Sequence, residues 1–167
     1  GKARMRFSIN HDYAARNSAS QLYNSQNGAN AAFVIALTMG GVPMLYASQE
    51  IGYPEKLSFF KNNAVVMDWD SNPDIFRLYC SLMNLADDPV LRLGTLTKIS
   101  NDGVVSFVRE YDGQKILILV NVKGVTSEFF LPEEYMQASY TDMLTGQVFG
   151  FDTNHLSAYS YKILKLK

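Results

Sequence analysis

Asn10, His11 and Asp12 form an unbroken polar triplet directly after Arg4-Met5-Arg6-Phe7-Ser8-Ile9, a stretch that reads as a short β-strand. With neither Gly nor Pro between them, the strand can hold the three side chains at the rim of a sheet. In parallel α/β sheets that rim, just past the carboxyl ends of the strands, is where functional groups collect. A carboxylate there can stabilise a developing positive charge in a low-dielectric pocket. A neutral imidazole can donate to one hydroxyl and accept from its neighbour. The same residue types also do plainer work, because Asn or Asp after a strand commonly caps a turn or helix. A second polar pair, Gln49-Glu50, stands in a loop farther along.

The elements that must position these groups follow from the pattern. A polar loop is expected over Tyr13–Asn27. Ala29–Met39 is apolar on nearly every face, which predicts a helix buried on more than one side. Gly40-Gly41 stops it, and Val42–Tyr46 follows as a short apolar strand with Pro43 near its start. Ala47–Asp70 reads as a loop. Asn72-Pro73-Asp74 opens a helix, with proline in its first turn and an acid near its positive end. Ile75, Leu78, Tyr79, Leu82, Leu85 and Ala86 recur at helical spacing, while Arg77, Ser81 and Asn84 face away. Residues 1–88 thus spell strand, helix, strand, helix, an α/β unit whose crossovers require a parallel sheet.

Residues 89–167 change character, with the boundary near Pro89–Gly94. Thr95–Ser100 and Val104–Glu110 flank Asn101-Asp102-Gly103, a hairpin signal, and Asp112-Gly113 makes a second turn. Lys115–Val122 is apolar enough to be buried on both faces. Thr126–Leu131, Ser139–Met143 and Ser157–Leu166 continue the run, with a helical turn at Pro132–Gln137 and a chain turn at Thr145-Gly146. Short turns between consecutive strands predict an all-β unit, an antiparallel meander or β-sandwich. His155 reads as a loop residue.

Composition bounds the function. The chain has 167 residues, 47% hydrophobic and 19% charged, with Lys+Arg 15 against Asp+Glu 16. It can bury a substantial core, and it lacks the basic stripe that binding a nucleic-acid backbone requires. No apolar run reaches the ~18 residues needed to cross a bilayer, so neither nucleic acid nor membrane is an expected partner. Cys80 is the single cysteine, which rules out an intrachain disulfide framework. His11, His155 and Cys80 are too scattered for a metal site, and no glycine-rich phosphate loop occurs. Gly1 reads as the remnant of an expression tag, and the abrupt opening on a strand as a piece of a longer protein.

Phe7-Ser8-Ile9-Asn10-His11-Asp12, a buried helix, and then Gly41-Val42-Pro43-Met44-Leu45-Tyr46-Ala47-Ser48-Gln49-Glu50-Ile51-Gly52 resemble the end of an α-amylase-family glycoside hydrolase. In that family an F-x-x-N-H-D segment ends the seventh barrel strand. A G-x-P-x-[IL]-Y-x-G-Q-E-x-G segment forms the eighth strand and its loop, and an all-β C-terminal domain follows. The approach Pro89-Val90-Leu91-Arg92-Leu93-Gly94 is similar too. The resemblance covers nearly the whole chain and departs at Ser48, where the family usually has Gly, and in the plain Tyr13-Ala14-Ala15-Arg16 after Asp12.

That resemblance implies the last quarter of a (β/α)8 barrel followed by an antiparallel β-sandwich. Asp12 would be the carboxylate that stabilises an oxocarbenium-like transition state, and His11 would bind sugar hydroxyls. Asn10 would support the turn or contact substrate, and Gln49 and Glu50 would shape the rim or touch the glycan. A retaining glycosidase needs two carboxyl groups ~5 Å apart, which the family takes from strands four and five, outside this chain. The implied parent cleaves α-glucans such as starch or maltooligosaccharides, while these residues alone are expected to be inactive. An α-glucan transglycosylase and a non-catalytic carbohydrate-binding or barrel-stabilising module are the rival readings. No cofactor is expected in this chain, though calcium is possible in the parent. The compartment stays open, with a secreted or periplasmic parent compatible with the family. The exposed edge of the first strand is expected to be covered by the missing part of the barrel or by self-association.

Overall fold

The computed structural model describes residues 3–58, 65–99 and 102–167. Its first half holds β1 (Met5–Arg6), α1 (His11–Ala14), α2 (Ala19–Leu22), α3 (Gln26–Thr38) and β2 (Val42–Pro43). A 3-10 turn (Gln49–Ile51), α4 (Pro73–Leu85) and α5 (Pro89–Leu93) follow. The expected parallel pairing is present, with Met5 opposite Val42 and Arg6 opposite Pro43. Both strands are shorter than the sequence suggests. Val42 N–H donates to Arg4 O at 2.9 Å and Met44 N–H to Arg6 O at 2.7 Å. Pro43 brings no donor, and the next carbonyl of the first strand facing a partner, Ser8 O, accepts from the Tyr23 hydroxyl instead (2.6 Å).

The stretch Tyr13–Asn27, read as a loop, contains α2 and the first turn of α3. Two serines start these helices. Ser18 forms a reciprocal capping box with Gln21, and Ser25 Oγ accepts from Gly28 N–H at 2.9 Å. Helix α3 is buried on several faces as expected, with Ala29, Ala31, Phe33 and Val34 fully inside. It stops at Gly40 and Gly41, whose φ values of +80° and +104° suit glycine. In α4, Tyr79 and Leu82 are buried, and Ile75, Leu78, Leu85 and Ala86 pack against the same core. Arg77, Ser81 and Asn84 face solvent, as does Cys80.

The second half contains β3 (Thr95–Ile99), β4 (Val105–Tyr111), β5 (Gln114–Val120), β6 (Ser127–Glu128) and α6 (Glu133–Met136). After these come β7 (Tyr140–Asp142), β8 (Val148–Phe149), β9 (His155–Leu156) and β10 (Tyr161–Leu166). Among the described residues, six strands form one antiparallel sheet in the order β3-β4-β5-β10-β7-β8, and β6 pairs with β9 in a separate ribbon. His155 therefore lies in a strand and not a loop. Ser100, the end of the expected strand Thr95–Ser100, and Asn101 of the turn after it lie outside the described residues, as do Gly1 and positions 59–64 of the long loop. Asp112-Gly113 does turn the chain, both at positive φ (50° and 74°).

Strand β5 explains how the halves join. Ile116, Ile118 and Val120 point to one face, where they pack with Phe107, Ile163 and the helical residues Phe33, Leu37, Tyr79 and Leu82. Leu117 and Leu119 point to the other face, among Val108, Phe129, Tyr140, Leu156 and Leu164. This is the doubly buried strand predicted from its unbroken apolar run. The second face is closed by the β6–β9 ribbon and by Phe151, whose ring meets Phe129, Tyr140 and Phe149 edge-on at 5.1–5.7 Å. The covering layer is thus a ribbon and a ring cluster, thinner than the second sheet of a full sandwich. Helices and sheet share one continuous core across Pro89.

Candidate functional site

The first strand's exit is fixed from below before it reaches its polar residues. Ser8 and Ile9 are buried. Ile9 packs with Ala14, Ala19 and Ala29, and with Tyr23, Tyr46 and Leu57 beside them. Burial pushes the Tyr23 hydroxyl above its usual range, with nearby Tyr13 adding to the shift. A neutral donor to Ser8 O is therefore maintained. Ser8 Oγ accepts from Gln49 Nε2 at 2.8 Å, and the same nitrogen donates to the Tyr79 hydroxyl at 3.1 Å. Tyr79 is itself pinned against Phe33, ring centroids 5.0 Å apart. Its hydroxyl is likewise pushed up, chiefly by burial.

Asn10 caps α1, its Oδ1 accepting from Tyr13 N–H at 3.1 Å. That cap places His11 and Asp12 in the helix's first turn. Both side chains are open to solvent, 62% and 67% exposed, and His11 Nε2 lies 3.6 Å from Asp12 Oδ1. The structure thus brings the imidazole and the carboxylate together as an accessible pair on a capped helical turn. It spends the Asn10 amide oxygen on the turn.

Gln49 and Glu50 are placed differently. Gln49 is only 3% exposed, with its amide donors spent on Ser8 and Tyr79. Among the described residues, Gln49 Oε1 and Glu50 Oε2 are buried without a hydrogen-bond partner. The loop that carries them turns at Ser48 and Gly52, both left-handed (φ 71° and 61°). Ser48 therefore adopts the backbone conformation that glycine takes most easily. Asn72 Nδ2 donates to Ile51 O at 2.7 Å, tying the loop to the start of α4.

Ser8, Tyr23 and Tyr79 were not legible as site-supporting residues. Tyr79 carries the helical spacing of a core residue, and only the fold reveals that its hydroxyl reaches Gln49. Among the described residues, no group of three or more His, Cys, Asp or Glu could hold a metal ion, and no helix is long and apolar enough to cross a membrane.

No family profile matches the sequence, and no curated protein matches it. Solved structures do. The α-amylase from Geobacillus thermoleovorans, complexed with acarbose, superposes with a TM-score of 0.77 at 19% identity, over 99% of this chain and 39% of that one. A noncanonic maltogenic α-amylase from Thermotoga neapolitana gives a TM-score of 0.77 at 22% identity, over 99% of this chain and 41% of its own. An Anoxybacillus α-amylase gives 0.75 at 20% identity, over 97% and 37%. The chain therefore has the fold of part of these α-amylases and spans about 40% of their length.

Proposed function

We propose that this chain is the C-terminal part of an α-amylase-type retaining glycosidase acting on α-glucans, with residues 1–88 completing a (β/α)8 barrel and residues 89–167 forming its C-terminal β domain. The observation that carries the reading is the mount of Asp12. The carboxylate stands exposed at the carboxyl end of a strand that pairs in parallel with β2, in a fold shared with α-amylases along nearly the whole chain. The acarbose complex of the Geobacillus enzyme supports an oligosaccharide-like ligand for that fold.

In this reading Asp12 stabilises positive charge developing at the anomeric carbon, and His11 beside it binds hydroxyls of the same sugar. Asn10 holds the turn. Gln49 acts as a positioning residue: its amide locks Ser8 and hence the strand exit from which Asp12 projects. Glu50, one oxygen of which is buried, shapes the rim. In this reading the nucleophile and the acid/base are supplied by polypeptide outside these 167 residues; Glu50, with one carboxylate oxygen buried, is a poor partner for Asp12 in the paired geometry that retention requires.

The test is hydrolysis of soluble starch, read as reducing ends. The 167-residue chain alone releases none, whereas a longer natural polypeptide containing it does. Release by the 167 residues alone contradicts the proposal, and so does a longer polypeptide with no α-glucan activity of any kind.

A further inference from the structure

Beside β1, four arginines surround a groove of about 530 Å³ between the first strand and the antiparallel sheet, and none of residues 7–12 lines it. Arg4 and Arg6 come from the first strand, Arg92 from the last turn of α5, and Arg109 from β4; Gly40 and Gly41 complete the wall. No acidic residue lines it among the described residues. The nearest compensation is weak. Arg92 Nη1 stands 4.0 Å from Asp87, an exposed pair that contributes little in water.

Arg109 makes the groove more than a basic surface. It is 3% exposed, and its Nη2 donates to the carbonyls of Leu91 (3.0 Å) and Gly94 (2.6 Å). Among the described residues its Nε is buried with no acceptor, and it forms no ion pair. Two neutral carbonyls anchor the guanidinium without cancelling its charge, and a buried charge left unpaired is costly. The backbone is shaped around this arrangement. A Cβ at Gly40 would fall 2.6–2.7 Å from the Arg109 guanidinium nitrogens, and one at Gly41 would fall 2.2 Å from Arg4 O. Arg6 Nε donates to Gly40 O at 3.3 Å, which holds a second guanidinium beside the first. Burial, with Arg6 adding to it, lowers the Arg109 pKa from its ordinary value.

We infer that this groove is a binding site for a small-molecule oxyanion, a phosphate or carboxylate group taken from solution. Guanidinium forks match both groups in shape and charge, and an anion seated among the four arginines supplies the counter-charge that Arg109 lacks. The site is separate from Asp12 and does not depend on the glycosidase reading.

Thermal unfolding of the full chain with inorganic phosphate, with acetate, and with chloride at matched ionic strength tests it. A saturable rise in melting temperature with phosphate or acetate, beyond that with chloride, is expected, and the comparison of the first two tells a tetrahedral from a planar ligand. The double variant Arg4→Gln/Arg92→Gln changes exposed side chains only and should weaken the apparent affinity roughly tenfold, about 1.4 kcal/mol. Arg109→Met should abolish the response; if that variant fails to fold, the surface pair still decides. An equal response to all three anions overturns the inference, as does no saturable response, or a double variant that binds like the parent chain.

Discussion

Two buried amides tie this molecule together, and they are satisfied to different degrees. Asn121, fully buried after β5, donates through Nδ2 to the carbonyls of Val125, Leu156 and Ser157 at 2.8–3.0 Å. Its Oδ1 accepts from Lys123 N–H and from Ser127 Oγ. One side chain thus closes the loop between β5 and β6 and joins it to β9. Gln49 holds the strand exit beneath His11 and Asp12 through Ser8 and Tyr79, yet its own carbonyl oxygen is buried without a partner among the described residues. A polar network with every member paired rigidifies a fold, whereas one left part-filled marks a place where packing alone does not account for the residues. The network around Asn121 is closed, whereas the one around Gln49 keeps unspent polar groups near the candidate site.

The comparison can be broken by mutation. Asn121→Ala strands several buried donors and acceptors at once and should cost about 3 kcal/mol, read as a shift of the urea midpoint at constant slope. Gln49→Ala removes two hydrogen bonds but also an orphaned oxygen, so the expected loss is smaller, about 1–2 kcal/mol. If Gln49→Ala proves the costlier of the two, the ranking of a closed network above an open one fails.

Ser48→Gly sharpens the same contrast from the other side. Relieving a non-glycine residue of its left-handed backbone should leave the chain more stable by about 1 kcal/mol, measured by thermal or urea unfolding. A destabilised variant would show that the Ser48 side chain makes contacts worth more than the strain.

A fourth outcome is nil at neutral pH. Burial, with Tyr135 and Glu134 adding to it, pushes the Tyr140 hydroxyl from 10.0 up to about 12, and that hydroxyl donates to Tyr135 O at 2.6 Å. The folded form holds this proton more tightly than the unfolded chain. The stability it contributes is therefore complete below pH 10 and falls as the pH rises toward 12. Tyr140→Phe should flatten that alkaline decline, checked by urea midpoints across the interval.

Much of this was legible in the residues themselves. The unbroken apolar run after Gln114 declared a strand buried on both faces, because only a layer on each side satisfies it. Asn72-Pro73 and Gly40-Gly41 marked where helices begin and end through backbone chemistry that tertiary contacts do not override. The strands flanking the candidate site are shorter than Arg4–Ile9 and Val42–Tyr46, since residue types alone do not show that a tyrosine hydroxyl takes the Ser8 carbonyl from the ladder. The helices hidden in Tyr13–Asn27 carried a readable signal, Ser18 with Gln21 three residues on, masked by the surrounding polar composition. Gln49's inward role and the arginine groove depend on residues 30 to more than 100 positions apart, and no local pattern brings those together.

The most direct measurement of the central claim is Asp12→Asn in a longer natural polypeptide that hydrolyses α-glucans, with activity and melting temperature recorded together. An exposed carboxylate that stabilises the transition state should cost roughly 100- to 1,000-fold in kcat when neutralised, with the melting temperature unchanged. Near-parental kcat would show that the carboxylate at position 12 only sits in the first turn of α1 and does nothing more.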